Sequence, residues 1–378
     1  MKTMKRRAAT ILILAVGLVL ARAAAPEPAV IRAAEGWVIF DPTKDGYAYR
    51  YGPSLIINPD GSMDAWFASP GGKGEDGKDQ WDWIRHKQSA DGGKTWGAET
   101  VVLKATAGSR DRQSVCDPGV IKLDGWYYLG VTSVEDPKGM CNEVFVARSK
   151  SPVGPFEKWN GRGWGGAPQP LLPFRKPADV WGLGEPSFVR KGGTIFIYYT
   201  VISRDPAGQP INRTRVATAP ANDPNWPAKM MPCGTAFERE EGEDSADVKF
   251  VDAFNAFVAV STAKRFTTNS CLNVRWSLDG FAFSSPAHLT DNIKTRCHNV
   301  GISGTPEGHL DLNQKNCIAY AFSDGSRPGT SWAFWHTFLN PITFAAVNPR
   351  ADAAQAQPTG GEPEKTKGSG EKIAPENK

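Results

Sequence analysis

Short runs of alternating apolar and polar residues, each ended by a turn signal, recur along most of the chain. The clearest is Cys116–Ser133, CDPGVIKLDGWYYLGVTS. There an acidic residue followed by Pro opens one run, Asp124-Gly125 reverses the chain, and an aromatic-rich run returns. Asp-Gly between two alternating runs is a strong hairpin signal, because both residues tolerate the left-handed backbone that the tight turn requires. The phrase comes back as EPSFVRKGGTIFIYYT at Glu185–Thr200, turning at Gly192-Gly193. A looser copy, GPSLIINPDGSMDAWFAS, lies earlier at Gly52–Ser69 and turns at Asp60-Gly61. Weaker copies occupy Asp247–Thr262 and His298–Ser323. After the first thirty or so residues no stretch sustains a helical period.

The five starts lie roughly 50 to 70 residues apart, which suggests one supersecondary unit repeated around a ring. The reading is an all-β chain, a five-bladed β-propeller spanning residues 26–350. Ser89–Trp96, SADGGKTW, fits the S-x-D-x-G-x-T-W turn called the Asp-box, which joins the outer strands of a propeller blade, and Ser277–Phe283 is a degenerate copy. Pro26–Glu35 reads as a leader into the first blade, and Val38–Phe40 is a candidate to seal the ring by joining the last one. From Ala351 onward Ala, Gln, Gly, Pro, Glu and Lys dominate. That composition buries too little apolar surface to offset chain entropy, so residues 351–378 are expected to be a disordered tail.

Composition supports many short strands joined by turns: 39 Gly, 29 Pro and 13 Trp in 378 residues. A net charge of +4, with the basic residues scattered, gives no argument for nucleic acid. Residues 1–25 read as a secretory signal, with Lys2, Lys5, Arg6 and Arg7 ahead of an apolar Ala8–Leu20 and small residues at Ala21–Ala25. The protein is therefore expected to be secreted or periplasmic, with no stable membrane association after signal cleavage. Its six cysteines permit up to three disulfides in such a compartment. No C-x-x-C pair is present to suggest zinc.

In a propeller the innermost strand of each blade lines a central channel, so the residue opening each repeat points into one funnel. These residues are Gly52, Asp117, Glu185, Asp247 or its neighbour Ala246, and His298. Acids converging from separate blades suit glycosidic bond cleavage. One carboxylic acid protonates the leaving oxygen, and a carboxylate activates water or attacks the sugar carbon. Crowding and burial push the pKa values of neighbouring acids apart and so divide the roles. Trp83 and Trp181 lie nearer the expected funnel than Trp96 or Trp126 and offer ring faces to sugar C–H groups.

Asp117-Pro118 with its hairpin, the phrase SPVGPF at Ser151–Phe156, and Gly184-Glu185-Pro186 resemble the five-bladed propeller glycosidases of family 43 and the related families 32, 62, 117 and 130. The resemblance spans about residues 45–340, with its specific phrases in repeats two and three. It implies a carbohydrate substrate, Glu185 as general acid, Asp117 as the acid that tunes it, and His298 in the channel near a calcium ion or water. It implies inverting hydrolysis, requires no cofactor, and allows a structural calcium ion in the channel. The chain departs from the pattern at Tyr49-Arg50-Tyr51-Gly52-Pro53-Ser54, where the family carries its catalytic base. Asp41, Asp45, Asp82 or Asp247 could supply that base, or the chain has none.

The same stretch resembles the Arg-Ile-Pro phrase that opens sialidases. Carried over, it would make Arg50 a bidentate clamp on an acidic sugar, with Asp79 or Asp82 as acid/base. Sialidases have six blades and more Asp-boxes than this chain shows. A third reading is a carbohydrate-binding propeller without catalysis.

Overall fold

The computed structural model describes residues 28–41, 49–135, 141–176, 178–325 and 334–346. The signal read at 1–25, the tail at 351–378 and Asp45 lie outside the described residues. The alternating runs become strands, and no α-helix occurs among the described residues. Two short 3-10 turns, Trp226–Lys229 and Asp252–Phe254, are the helical elements there.

Each repeat folds as an antiparallel sheet built outward from the channel. Blade I is β3 (Tyr51–Ile57), β4 (Met63–Pro70), β5 (Asp82–Ser89) and β6 (Thr100–Leu103). Blade II is β7 (Ser114–Leu123), β8 (Trp126–Val134), β9 (Asn142–Ser149) and β10 (Glu157–Lys158). Blade III is β11 (Asp179–Lys191), β12 (Thr194–Arg204), β13 (Pro210–Pro220) and β14 (Met231–Glu238), linked to blade II by one parallel bridge, Gly182 with Asn142. Blade IV is β15 (Asp244–Val251), β16 (Ala256–Ala263), β17 (Cys271–Ser277) and β18 (Ala287–Leu289).

Blade V closes the molecule. Its core is β19 (Cys297–Ile302), β21 (Cys317–Phe322) and β22 (His336–Ala346), while β20 (His309–Leu310) reaches across to pair with β15. The outer edge comes from the other end of the chain: β1 (Ala29–Ala33) pairs with the second half of β22 and β2 (Trp37–Phe40) with its first half. The expected seal at Val38–Phe40 is thus part of a longer broken strand, and residues read as a leader form its first half. Gly36 sits at the break, where a Cβ would lie 2.1 Å from the Leu339 carbonyl oxygen. The innermost strands touch in ring order, β3 to β7, β11, β15, β19 and back to β3.

The blades pack through aromatic pairs that recur at every interface. Ring centroids lie 6.0 Å apart for Trp66–Tyr127, 5.7 Å for Tyr128–Trp226 and 4.9 Å for Phe196–Phe257. They lie 6.4 Å apart for Trp276–Phe344 and 4.3 Å for Phe40–Phe67. Large aromatic surfaces and their edge contacts make such pairs effective inter-sheet anchors, which accounts for the tryptophan content. In the Asp-box, the Asp91 carboxylate accepts from Lys94 N–H, Thr95 N–H and Thr95 Oγ1, and the Trp96 indole donates to Gly93 O at 3.0 Å. The degenerate copy repeats the turn with Asp279 accepting from Phe281 and Ala282 N–H.

The expected disulfides are not formed: all six cysteines are free thiols. They are spread over four blades. Cys297 and Cys317 share a hairpin but stand at its opposite ends, opposite Phe322 and Pro341.

Candidate active site

All five inner strands break register at one level, between Tyr51/Ser54, Cys116/Gly119, Gly184/Ser187, Asp244/Ala246 and His298/Val300. One residue in each break has left-handed φ: Gly52 (61°), Asp117 (47°), Glu185 (54°), Ser245 (33°) and Asn299 (40°). Such a conformation costs a non-glycine residue of order 1–3 kcal/mol and concentrates at functional sites. These five residues are the equivalent ring positions. The sequence alignment is right for Gly52, Asp117 and Glu185 and out of register for the last two blades. His298 precedes its ring position by one residue, and Asp247 follows its own by two. Blades IV and V lack the acid-Pro phrase that marks the level in II and III.

Beside this level a cavity of about 520 Å³ opens, its wall including Asp82, Asp117, Glu185, Arg265 and His298 with the rings of Tyr49, Trp81, Trp181 and Phe266. Glu185 is 7% exposed. Its backbone N–H donates to Thr132 Oγ1 at 2.7 Å. Its Oε2 accepts from the Thr200 hydroxyl and, at 3.2 Å, from Arg239 Nη2. Burial above all, then the charges of Asp244 and Asp117, push the Glu185 carboxyl up to about 8 against the pull of Arg239. A carboxyl at about 8 favours the protonated form at neutral pH, and Oε2 is the oxygen that accepts from both Thr200 and Arg239.

Asp117 accepts from Asn299 Nδ2 at 3.0 Å and from the Cys116 thiol at 3.4 Å. Burial raises its pKa, with the charge of Asp244 adding and those of His298 and the Thr132 hydrogen bond opposing. Asp244 behaves in the opposite way. Burial again disfavours its charge, but His298 Nδ1 at 2.7 Å and Arg265 Nη1 at 2.8 Å, with Arg239 nearby, hold it well below the usual carboxylate range. The His298 ring lies among Tyr51, Phe266 and Trp335, with centroids 5.5, 5.1 and 5.1 Å away. On the blade I side, Asp82 accepts from the Tyr49 hydroxyl and from Ser114 Oγ at 2.6 Å, and burial pushes its carboxyl up to about 6.

The structure brings Asp117, Glu185, His298 and Trp181 to this one cavity. Asp247 lies deeper along the channel, where its carboxylate accepts from Ser187 Oγ (2.6 Å), Lys249 Nζ (2.6 Å) and Ile302 N–H (2.9 Å). Arg50 forms a bidentate pair with Glu99, both contacts 2.9 Å, and faces a separate surface groove. The Trp83 indole donates to Gln80 Oε1 at 2.7 Å and its ring lies 4.4 Å under Lys104 Nζ, off the cavity wall; Trp81 occupies the wall instead. Asp41 pairs with His336 and Asp79 with Lys73, both away from the cavity. Arg239, Asp244 and Arg265 are site residues too: the first two lie in the charged run Glu238–Asp244, which carries no motif, and no motif singles out Arg265 among the arginines. Among the described residues no group of three or more His, Cys, Asp or Glu is placed to hold a metal ion. The deep carboxylate of Asp247 already carries the Lys249 ammonium.

No protein-family profile matches the sequence, and no curated protein does. Solved structures do match. Zg3597, a family 117 glycoside hydrolase produced by the marine bacterium Zobellia galactanivorans, superposes with a TM-score of 0.58 at 16% identity, covering 87% of this chain and 98% of that one. The alpha-L-arabinofuranosidase PaAbf62A from Podospora anserina, in complex with cellotriose, gives 0.58 at 12% identity, with 84% and 98% covered. A thermostable family-43 glycoside hydrolase gives 0.52 at 12%, with 80% and 94% covered. What the chain shares with them at this identity is the fold, that of the five-bladed β-propeller glycoside hydrolases.

Proposed function

We propose that the protein is an exported glycoside hydrolase acting on oligo- or polysaccharide in the funnel of the propeller. The observation that carries this reading is Glu185, a carboxyl kept protonated at neutral pH by burial and by Asp117 and Asp244, on the wall of a cavity large enough for a sugar. A protonated carboxylic acid is what departure of an alcohol leaving group requires. In this mechanism Glu185 gives its proton to the glycosidic oxygen as the C–O bond breaks. Asp117 raises the pKa of that acid and orients the sugar. Asp244, held ionised by His298 and Arg265, adds its charge to that of Asp117 in keeping the proton on Glu185. Trp81 and Trp181 face the sugar's C–H surfaces. The folds of three glycoside hydrolases support the reading by analogy, and the basic, then apolar, residues 2–20 support export.

The experiment is sugar release from a panel of oligosaccharides and aryl glycosides by the purified protein between pH 5 and 9, with binding followed by calorimetry. Release of one sugar is expected. Binding without release overturns hydrolysis and leaves the carbohydrate-binding reading, which the missing carboxylate at Gly52 favours.

A further inference from the structure

The ring level that carries Asp117 in blade II and Glu185 in blade III carries Gly52 in blade I. A Cβ on Gly52 would meet Asp117 Cα at 3.4 Å and Asp117 Oδ1 at 3.6 Å, so the position adjoins the acids but brings no group to them. A carboxylate reaches the same cavity from the third strand of that blade. Asp82 opens β5 opposite Pro70, is 8% exposed and stands on the cavity wall. Tyr49 of blade I and Ser114 of blade II each donate to one of its oxygens, so it is fixed from two blades. The charge of Asp117 is among the main influences on both Asp82 and Glu185, whereas neither of these two is a main influence on the other. Asp82, Asp117 and Glu185 line the one cavity, Asp82 reaching it from blade I and Glu185 from blade III. Inverting hydrolysis needs an acid and a base in one site, with room for a water between the base and the sugar.

We propose that Asp82 is the general base of the hydrolysis, replacing from β5 the acid that blade I lacks at Gly52. The inference rests on the glycosidase reading of this cavity. In the step, water oxygen bonds to the anomeric carbon and Asp82 takes a water proton. The bond from that carbon to the leaving oxygen breaks, and Glu185 protonates the leaving oxygen. Asp82 ends protonated and Glu185 ionised, and exchange with solvent restores both. Asp244 is the poorer base, because Arg265 and His298 hold its carboxylate well below the usual range and it does not line the cavity. Burial sets Asp82 near 6 and Glu185 near 8. Base ionised and acid protonated thus coexist between those values.

The test compares wild type, Asp82→Asn and Asp82→Glu by steady-state kinetics and pH profile, with thermal melting as a check on folding and NMR of the first-formed anomer. Asp82→Asn is expected to lower kcat by about 10²–10⁴-fold with KM little changed. It should also remove the acidic limb near pH 6, and added formate should restore part of the rate. Wild type should release the inverted anomer. Asp82→Asn within about tenfold of wild type, or a retained first anomer, overturns the assignment. Should Asp82→Asn fail to fold, Asp82→Glu carries the test: a displaced acidic limb supports the base and an unmoved one overturns it. Hydrolysis by wild type and variant alike sinks this assignment alone, while no hydrolysis by wild type sinks the glycosidase reading and this assignment with it.

Discussion

Arg239 offers a quantitative handle on the acid. Its side chain is 1% exposed and its Nη2 lies 3.2 Å from Glu185 Oε2. Two unit charges at that separation attract by roughly 5 kcal/mol at an effective dielectric of about 20. After the solvation cost is subtracted, an adjacent opposite charge lowers a carboxyl pKa by about 1 to 3, equivalent to about 1.4–4 kcal/mol. The guanidinium favours ionised Glu185, so Arg239→Met should let Glu185 keep its proton to higher pH. The basic limb of kcat/KM, set by a carboxyl at about 8, should move alkaline by at least about one pH unit, and the acidic limb should stay in place. Because Glu185 is neutral at pH 7, the substitution does not strand a charge there, and melting curves check that the fold is kept. The assay is a pH–rate profile on the aryl glycoside that wild type cleaves fastest. A basic limb that stays put, or moves toward acid, would refute the electrostatic account of Glu185.

Three further outcomes follow from the packing. Glu243 and Arg275 form a buried bidentate pair, with Arg275 Nη2 to Glu243 Oε2 at 2.8 Å, so Glu243→Ala should cost about 3–5 kcal/mol in a denaturant titration. Burial disfavours the Glu243 charge, but Arg275 outweighs it and depresses the pKa. That stabilisation is present above the ordinary glutamate range and is lost as pH falls through the depressed folded-state value, which acid-denaturation curves of wild type and variant should reveal. Ile31→Ala, in the edge strand that closes blade V, should cost about 2–5 kcal/mol and lower Tm while leaving KM unchanged. Arg50→Met should lower stability by breaking the Glu99 pair and leave substrate KM within a few-fold; a large rise in KM would restore the clamp on an acidic sugar.

The five-fold repeat was legible because its hairpins carry local signals. Asp124-Gly125, Gly192-Gly193 and the Ser89–Trp96 turn each fix a backbone conformation within a few residues. Asp117 and Glu185 were legible for a similar reason, as a following Pro marks the bulged level of their strands. Blades IV and V lack that mark. Their ring residues are Ser245 and Asn299, ordinary loop-formers with no chemical signature, so the register there slid onto Asp247 and His298. Asp244 ends the charged run Glu238–Asp244, which carries no motif. Only the tertiary fold sets His298 and Arg265 against it, from β19 and from beyond β16. The closing strand was legible in its second half, Val38–Phe40, and hidden in its first, since Ala29–Ala33 alternates over too few residues to stand out. Arg50 carries a motif without its role: the guanidinium serves Glu99, a partner with no local link in sequence.

The most direct measurement of the central claim is the dependence of Glu185→Gln activity on the leaving group, across aryl glycosides graded from poor to good. If Glu185 donates the proton, the loss should be about 10²–10⁴-fold for poor leaving groups and shrink toward none for those that depart without protonation. A loss equal across the series, or no loss at all, would contradict Glu185 as the acid.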